Sequence, residues 1–206
     1  MIFVAPFDDI SNVAVKLPLT LDLSTGHDPD VLLSPGRAHR RALPGRFLEF
    51  GSLFEAGFRY SWMTVGNLKL RHSRVRARLG FSRLGKPAAD QPWLGIMLRG
   101  QSFWANHGHL MHFRADGSIW VTLERDTGHD NEQIGKVDGF NPATDDLDFD
   151  ITMDAKAWRI QVGAVTWARS ISDLPHVFWD GKIIIQTYCA WLALKSLTVE
   201  EIQWMA

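Results

Sequence analysis

Five residues within one stretch carry side chains that could act on a ligand together: Trp93, Arg99, His112, Trp120 and Glu124. Trp supplies a wide, flat apolar ring with one N–H at its edge. Arg donates from a rigid fork, neutral His donates and accepts, and ionised Glu only accepts. A flat ring can stack on the C–H face of a pyranose while polar groups around it hydrogen-bond the hydroxyls. The same set could instead act as general acid and base, with Glu124 partnered by His112 or Asp126, if both reach one reacting atom. Either chemistry requires these residues to share one face of one sheet.

The elements that would position them lie in residues 93–125, WLGIMLRGQSFWANHGHLMHFRADGSIWVTLER, which read as strands Trp93–Arg99, His109–Arg114 and Ser118–Arg125. Asp116-Gly117 between alternating apolar residues signals a hairpin. A two-residue loop would set Phe113 opposite Trp120 and mix charge with large apolar groups on each face. A three-residue loop, Ala115-Asp116-Gly117, sets Phe113 opposite Ile119 and Met111 opposite Val121. That register gathers Met111, Phe113, Ile119, Val121 and Leu123 on one face, and it is the predicted one because a slip would flip every side chain. Gly117 supplies the positive φ the loop needs. The first strand turns Leu94, Ile96 and Leu98 inward and Trp93, Gly95, Met97 and Arg99 outward. Trp93, Arg99, His112, Arg114, Trp120 and Glu124 are thereby expected on one outer face.

The 206 residues, 46% apolar, can bury a full core as one domain over residues 1–206. A net charge of −1 gives no electrostatic case for nucleic acid or an anionic membrane surface. The nine Trp favour clefts and partly open faces, where the indole N–H finds a partner. The single cysteine, Cys189, excludes an intrachain disulfide framework and sits in an apolar run as a small hydrophobe. MIFVAPFDDI lacks the basic start of a signal peptide, and no apolar run approaches the ~20 residues of a membrane helix. A cytoplasmic location is the expectation from these features, and the oligomeric state is left open.

Elsewhere the chain alternates in short segments. Asn12–Leu23 is β-prone but broken by Pro18, and residues 24–46 read as a long irregular loop with a basic cluster of Arg37, His39, Arg40, Arg41 and Arg46. Phe58–Val65 reads as a strand. Asn67–Phe81 sets Val75, Ala77, Leu79 and Phe81 against Arg74, Arg76 and Arg78, so its arginine row is either a solvated face or a platform for uronates or sulfated sugars. Asp126–Asp146 reads as another loop. Leu147–Met153 alternates, and Trp158–Trp167 folds back around Gly163-Ala164. Lys182–Tyr188 and Ala190–Leu194 are apolar strands, and Thr198–Trp204 a last short one. About ten to twelve short strands with one polar and one apolar face predict an all-β, two-sheet antiparallel sandwich.

His107, His109 and His112 lie close in sequence, but His109 and His112 are predicted on opposite faces, so they do not converge as zinc requires. Asp145, Asp146, Asp148 and Asp150 offer calcium its preferred oxygens, yet their spacing fits no calcium loop and a solvated acidic face is the simpler reading. No cofactor is expected otherwise. There is no phosphate loop, dinucleotide fingerprint or nucleophile elbow.

The order of the segments GIMLR, ADG, SIWVTL, LDFDITMD, WRIQVGAVTW and WDGKIIIQTYCAWLALKSLTVEEI resembles the concanavalin A-like lectin/glucanase superfamily, in particular its laminin G-like and glycoside-hydrolase-associated jelly rolls, over about residues 50–204. The resemblance implies a sandwich whose concave sheet binds glycans or, in some members, cleaves them. The endoglucanase branch carries its acids as E-x-D-x-E or E-x-D-x-x-E. Here Glu124-Arg125-Asp126 supplies only the first half, followed by Thr127, Gly128 and His129. The retaining two-carboxylate mechanism lacks its second acid in this strand, and a partner from another strand stays open. The leading expectation is a glycan-binding jelly roll using Trp93, Arg99, His112, Trp120 and Glu124. The alternatives are a glycoside hydrolase or polysaccharide lyase on the same face, with Glu124 and His112 catalytic, and a cytoplasmic enzyme or binder for an apolar small molecule.

Overall fold

The computed structural model describes residues 16–22, 32–33, 39–43, 47–51, 60–65, 68–85, 91–101, 107–125 and 128–203. Alternation of apolar and polar side chains dictates its strands. They are β1 (Leu19–Asp22), β2 (Leu32–Leu33), β3 (His39–Leu43), β4 (Phe47–Gly51), β5 (Tyr60–Val65), β6 (Ser73–Leu84), β7 (Trp93–Gly100) and β8 (His109–Arg114). There follow β9 (Ser118–Arg125), β10 (Gly128–Lys136), β11 (Asp146–Met153), β12 (Ala157–Val162), β13 (Val165–Ser170), β14 (Lys182–Tyr188) and β15 (Ala190–Glu201). The front sheet runs β10-β9-β8-β7-β14-β5-β2. The back sheet runs β13-β12-β11-β6-β15-β4-β3, with β1 also on β15. Two antiparallel sheets packed on each other form the expected all-β sandwich.

The core lies between them. Val75, Leu79, Phe149, Ile151, Trp158 and Leu194 of the back sheet meet Leu94, Ile96, Met111, Phe113, Val121 and Ile185 of the front sheet. The central hairpin has the predicted register, with Phe113 opposite Ile119, Met111 opposite Val121 and His112 opposite Trp120. Slipping it by one residue would carry Met111, Phe113, Ile119, Val121 and Leu123 out of the core at roughly 2 kcal/mol each, which no change of loop could offset. Gly117 has φ 86°, and a Cβ there would lie 2.6 Å from the Val137 carbonyl oxygen. The β12–β13 hairpin also turns where expected: Val162 pairs with Val165, and Gly163 takes φ 57°.

Several segments differ from expectation. Residues 24–46 are not all loop, since β2 and β3 fall there and β3 pairs with β4. His39, Arg40 and Arg41 of the basic cluster lie on β3, whereas Arg37 and Arg46 fall outside the described residues. The strand expected from Asn67 begins at Ser73, and the last short strand is the tail of β15. The polar segment after Arg125 contains β10, an edge strand that pairs along β9. Solvated side chains cover both of its faces, which removes the alternation that marks a half-buried strand. From this edge Glu132 takes two hydrogen bonds, 2.8 and 2.7 Å, from Arg169 on β13, so the outer edges of the two sheets are clasped. Among the described residues no helix is long and apolar enough to cross a membrane.

Candidate functional site

Pairing across β5, β14, β7, β8, β9 and β10 lays one line of residues over the outer face of the front sheet. Trp62 pairs with Gln186, Gln186 with Gly95, Gly95 with His112, His112 with Trp120, and Trp120 with Gln133. A Cβ on Gly95 would stand 2.8 Å from Leu110 Cδ1 and 3.0 Å from Trp93 Cζ3, so this glycine lets both side chains close over the strand. The Trp93 ring lies 6.0 Å from that of Tyr188 and 5.2 Å from that of His112. His112 and Trp120 are parallel within 3° at 6.4 Å. Towards β5 and β14 the face is apolar, with Trp62, Trp93, Met97, Leu110, Ile184 and Tyr188 in one cluster. Towards β9 and β10 it is polar and more open.

Five side chains on this face carry buried polar atoms without a hydrogen bond: His112, Gln186, Thr64, Arg114 at Nε and Glu124 at Oε2. His112 is 3% exposed and Gln186 1%, and neither ring nitrogen of the one nor either amide atom of the other has a hydrogen bond. Thr64 Oγ1, beside Ile184, is equally bare. Burial, aided by the charges of Arg114 and His129, pushes His112 down to about 3, so its imidazole is neutral and can donate at one nitrogen and accept at the other. Each unpaired buried group costs about 1–3 kcal/mol, and native proteins carry few of them. On this face they gather beside the rings of Trp93 and Trp120.

The hairpin turn orients Trp120. Its Nε1–H donates to Ser118 Oγ at 2.7 Å, and the Ser118 hydroxyl donates to Asp116 Oδ1 at 2.6 Å. Burial alone would raise the Asp116 carboxyl. Hydrogen bonds from the Ser118 hydroxyl and amide, with Lys136 and Arg114 nearby, hold it below the usual carboxylate range. The Arg114 guanidinium sits 4.1 Å from the Trp120 ring centroid and steadies the half-buried indole. Glu124 pairs with His129 across β9 and β10, and its Oε2 has no hydrogen bond. Thr122 between them donates to Asn131 Oδ1 at 2.9 Å.

Trp93, His112, Trp120 and Glu124 thus share the face predicted for them, and Arg99 does not. Four residues of β7, from Met97 to Gly100, span three of β14, from Ile184 to Lys182, and Arg99 takes φ 53°. This bulge reverses the alternation and turns Arg99 away from the row. Its guanidinium donates to the carbonyls of Arg71, Phe178 and Asp154 at 2.8, 2.9 and 3.0 Å. Burial, then the Arg71 charge, lowers it to about 10. His109 lies on the inner side of β8, against Trp158 and Phe178, and its Nε2 accepts from the Phe178 amide at 3.2 Å. It therefore cannot converge with His112 on one ion.

The arginine row on the back sheet is not a bare platform for anions. Arg74 holds Asp150 through bonds of 2.9 and 2.5 Å, Arg76 holds Glu200 at 2.6 Å, and Asp146 receives Arg78 and Lys195. Two depressions of about 360 and 700 Å³ on this face are lined by the same paired charges. Among the described residues no three His, Cys, Asp or Glu side chains gather as a metal site needs.

Gln186 and Thr64 were missed by sequence reasoning. Gln186 interrupts the run Ile183-Ile184-Ile185, and one carboxamide within an apolar strand is the signal that could have found it.

The sequence matches no family model and no curated protein. Solved structures do match its fold. The carbohydrate-binding module CBM66 from Bacillus subtilis superposes with a TM-score of 0.58 at 10% identity, over 83% of this chain and 96% of that one. The laminarinase catalytic domain from Thermotoga maritima gives 0.64 at 10% identity, over 91% and 99%. A Bacillus licheniformis β-glucanase gives 0.62 at 6% identity, over 90% and 98%. The fold is the concanavalin A-like jelly roll.

Proposed function

We propose that this chain recognises a glycan on the outer face of its front sheet, stacking it on Trp120 and hydrogen-bonding it through His112 and Gln186. The observation that carries this reading is the buried row of polar groups without partners beside an oriented indole. A sugar presents hydroxyls to such groups and C–H bonds to such a ring. An apolar ligand, which the Trp62–Trp93–Met97 cluster would also suit, leaves His112 and Gln186 unsatisfied. Fold neighbours that bear the names carbohydrate-binding module and β-glucanase support the sugar over the apolar compound.

Binding without cleavage is the form this reading takes. Two-carboxylate hydrolysis needs acids about 5–9.5 Å apart across the scissile bond. Among the described strand residues on this face, Glu124 is the lone carboxylate.

Calorimetric titration of wild type and Trp120→Ala with a glycan panel tests the proposal, with product formation followed in parallel. The expected result is saturable binding without turnover, weakened about tenfold or more in the variant by losing ~1.5 kcal/mol of stacking. Equal affinity in a folded variant would remove Trp120 from the site. Turnover would move the reading to a hydrolase centred on Glu124.

A further inference from the structure

The geometry points to a second sugar-contacting ring, Trp179, at the end of the sandwich remote from the β8–β9 turn. There the exposed indole and the polar groups around it take one pyranose unit of a glycan. This rests on the glycan reading above and extends it to a second site.

Trp179 is 58% exposed, and Leu84 at 41% is the other large apolar side chain so exposed among the described residues. A Trp left in water contributes little burial to a fold. This one is nonetheless held from both sides. The Phe178 carbonyl before it accepts from Arg99 Nη1–H at 2.9 Å, and Arg99 is itself only 2% exposed. After it, the Asp180 carbonyl accepts from the Gln101 carboxamide at 2.5 Å, and the Gly181 carbonyl from the Leu70 amide at 2.8 Å. The Arg71 guanidinium lies 5.6 Å from the ring centroid, and the Arg71 carbonyl is fixed by Arg99 Nε–H at 2.8 Å. A ring anchored in this way gives up little freedom on binding, a cost that a loose loop would meet in full.

The surroundings decide the kind of ligand. A stable protein interface buries about 1,200 Å² or more around an apolar centre. Leu84 sits at the far end of β6 from Arg71, so it cannot join Trp179 in such a centre. Lys69, Arg71, His176 and Asp180, which flank the ring in the chain and across the Leu70–Gly181 bond, are all exposed and polar. One flat ring within a rim of donors and acceptors matches one pyranose, which offers C–H bonds to the ring and hydroxyls to the rim. From Trp120 the path runs three strands across to Gln186 and four residues along to Lys182, on the order of 20 Å, so the two rings form separate sites.

The test is oxidation of the full chain by limiting N-bromosuccinimide, read at each Trp by peptide mass, with and without a panel of glycans. The expected result is about threefold or more slower oxidation of Trp179 at saturating glycan, in wild type and equally in Trp120→Ala. Trp179→Ala should bind the parent polysaccharide about tenfold more weakly at an unchanged melting temperature, and Trp179→Tyr should recover most of that loss. Protection of Trp179 alone would uphold this site and remove Trp120 from the first. Protection of Trp120, with Trp179 oxidised at its glycan-free rate, would overturn this inference and leave the glycan reading intact. So would a dimer that Trp179→Ala converts to monomer, because the ring would then serve contact between two copies. Failure of every glycan to protect either ring would overturn this inference together with the glycan reading.

Discussion

His109 and His112 are both held neutral by burial, each at about 3 against an ordinary 6.5. In the unfolded chain both regain the ordinary value, so between pH 6.5 and 3 the unfolded state binds more protons. Stability from this source is complete above pH 6.5 and falls as the pH drops through that window. At pH 5 the two together should cost about 4 kcal/mol relative to pH 8. Urea unfolding at the two pH values measures this, and His112→Gln should remove about half of the dependence; a flat profile would mean that the imidazoles take up protons in the folded state. At this scale the sequence was readable wherever alternation held. Trp93, His112, Trp120 and Glu124 fell on the predicted face because their parity along the strand was enough to place them. Gln186 was hidden because β14 is covered on both faces, and a strand buried on both sides shows no alternation against which a polar residue stands out.

Among the elements, β7 shows the limit of counting by twos. One extra residue at the bulge sends Arg99 to three loop carbonyls, a job that orders the segments around Arg71, Asp154 and Phe178. Arg99→Met should cost about 3 kcal/mol or more by leaving those carbonyls bare. It should leave the glycan affinity of the Trp120 face unchanged, and denaturation paired with titration checks both halves. Loss of binding at intact stability would return Arg99 to the site. The bulge was invisible in WLGIMLRG because no glycine or proline marks the residue that adopts the positive φ. β10 was invisible for the opposite reason, since an edge strand made of His, Asp, Asn, Glu and Gln reads as a loop. Its charges suit an edge, where an apolar strand would invite pairing with another molecule. The β8–β9 hairpin was legible because turn chemistry and the sorting of faces gave the same register.

In the molecule as a whole, the two sheets are joined at a corner one residue long. β14 ends at Tyr188 in the front sheet and β15 begins at Ala190 in the back sheet. Cys189 between them takes φ 49°, its carbonyl accepts from the Gly85 amide at 2.7 Å, and its side chain is buried. The strand that carries Gln186 thus runs through this corner into the centre of the back sheet. Because this is the only thiol in the chain, the corner carries its own clock. Alkylation must wait for the two sheets to part there, so its rate counts openings that ordinary unfolding curves average away. A sugar held over Gln186 should slow that clock in step with its occupancy. A rate indifferent to ligand would show that the corner opens without disturbing the bound face.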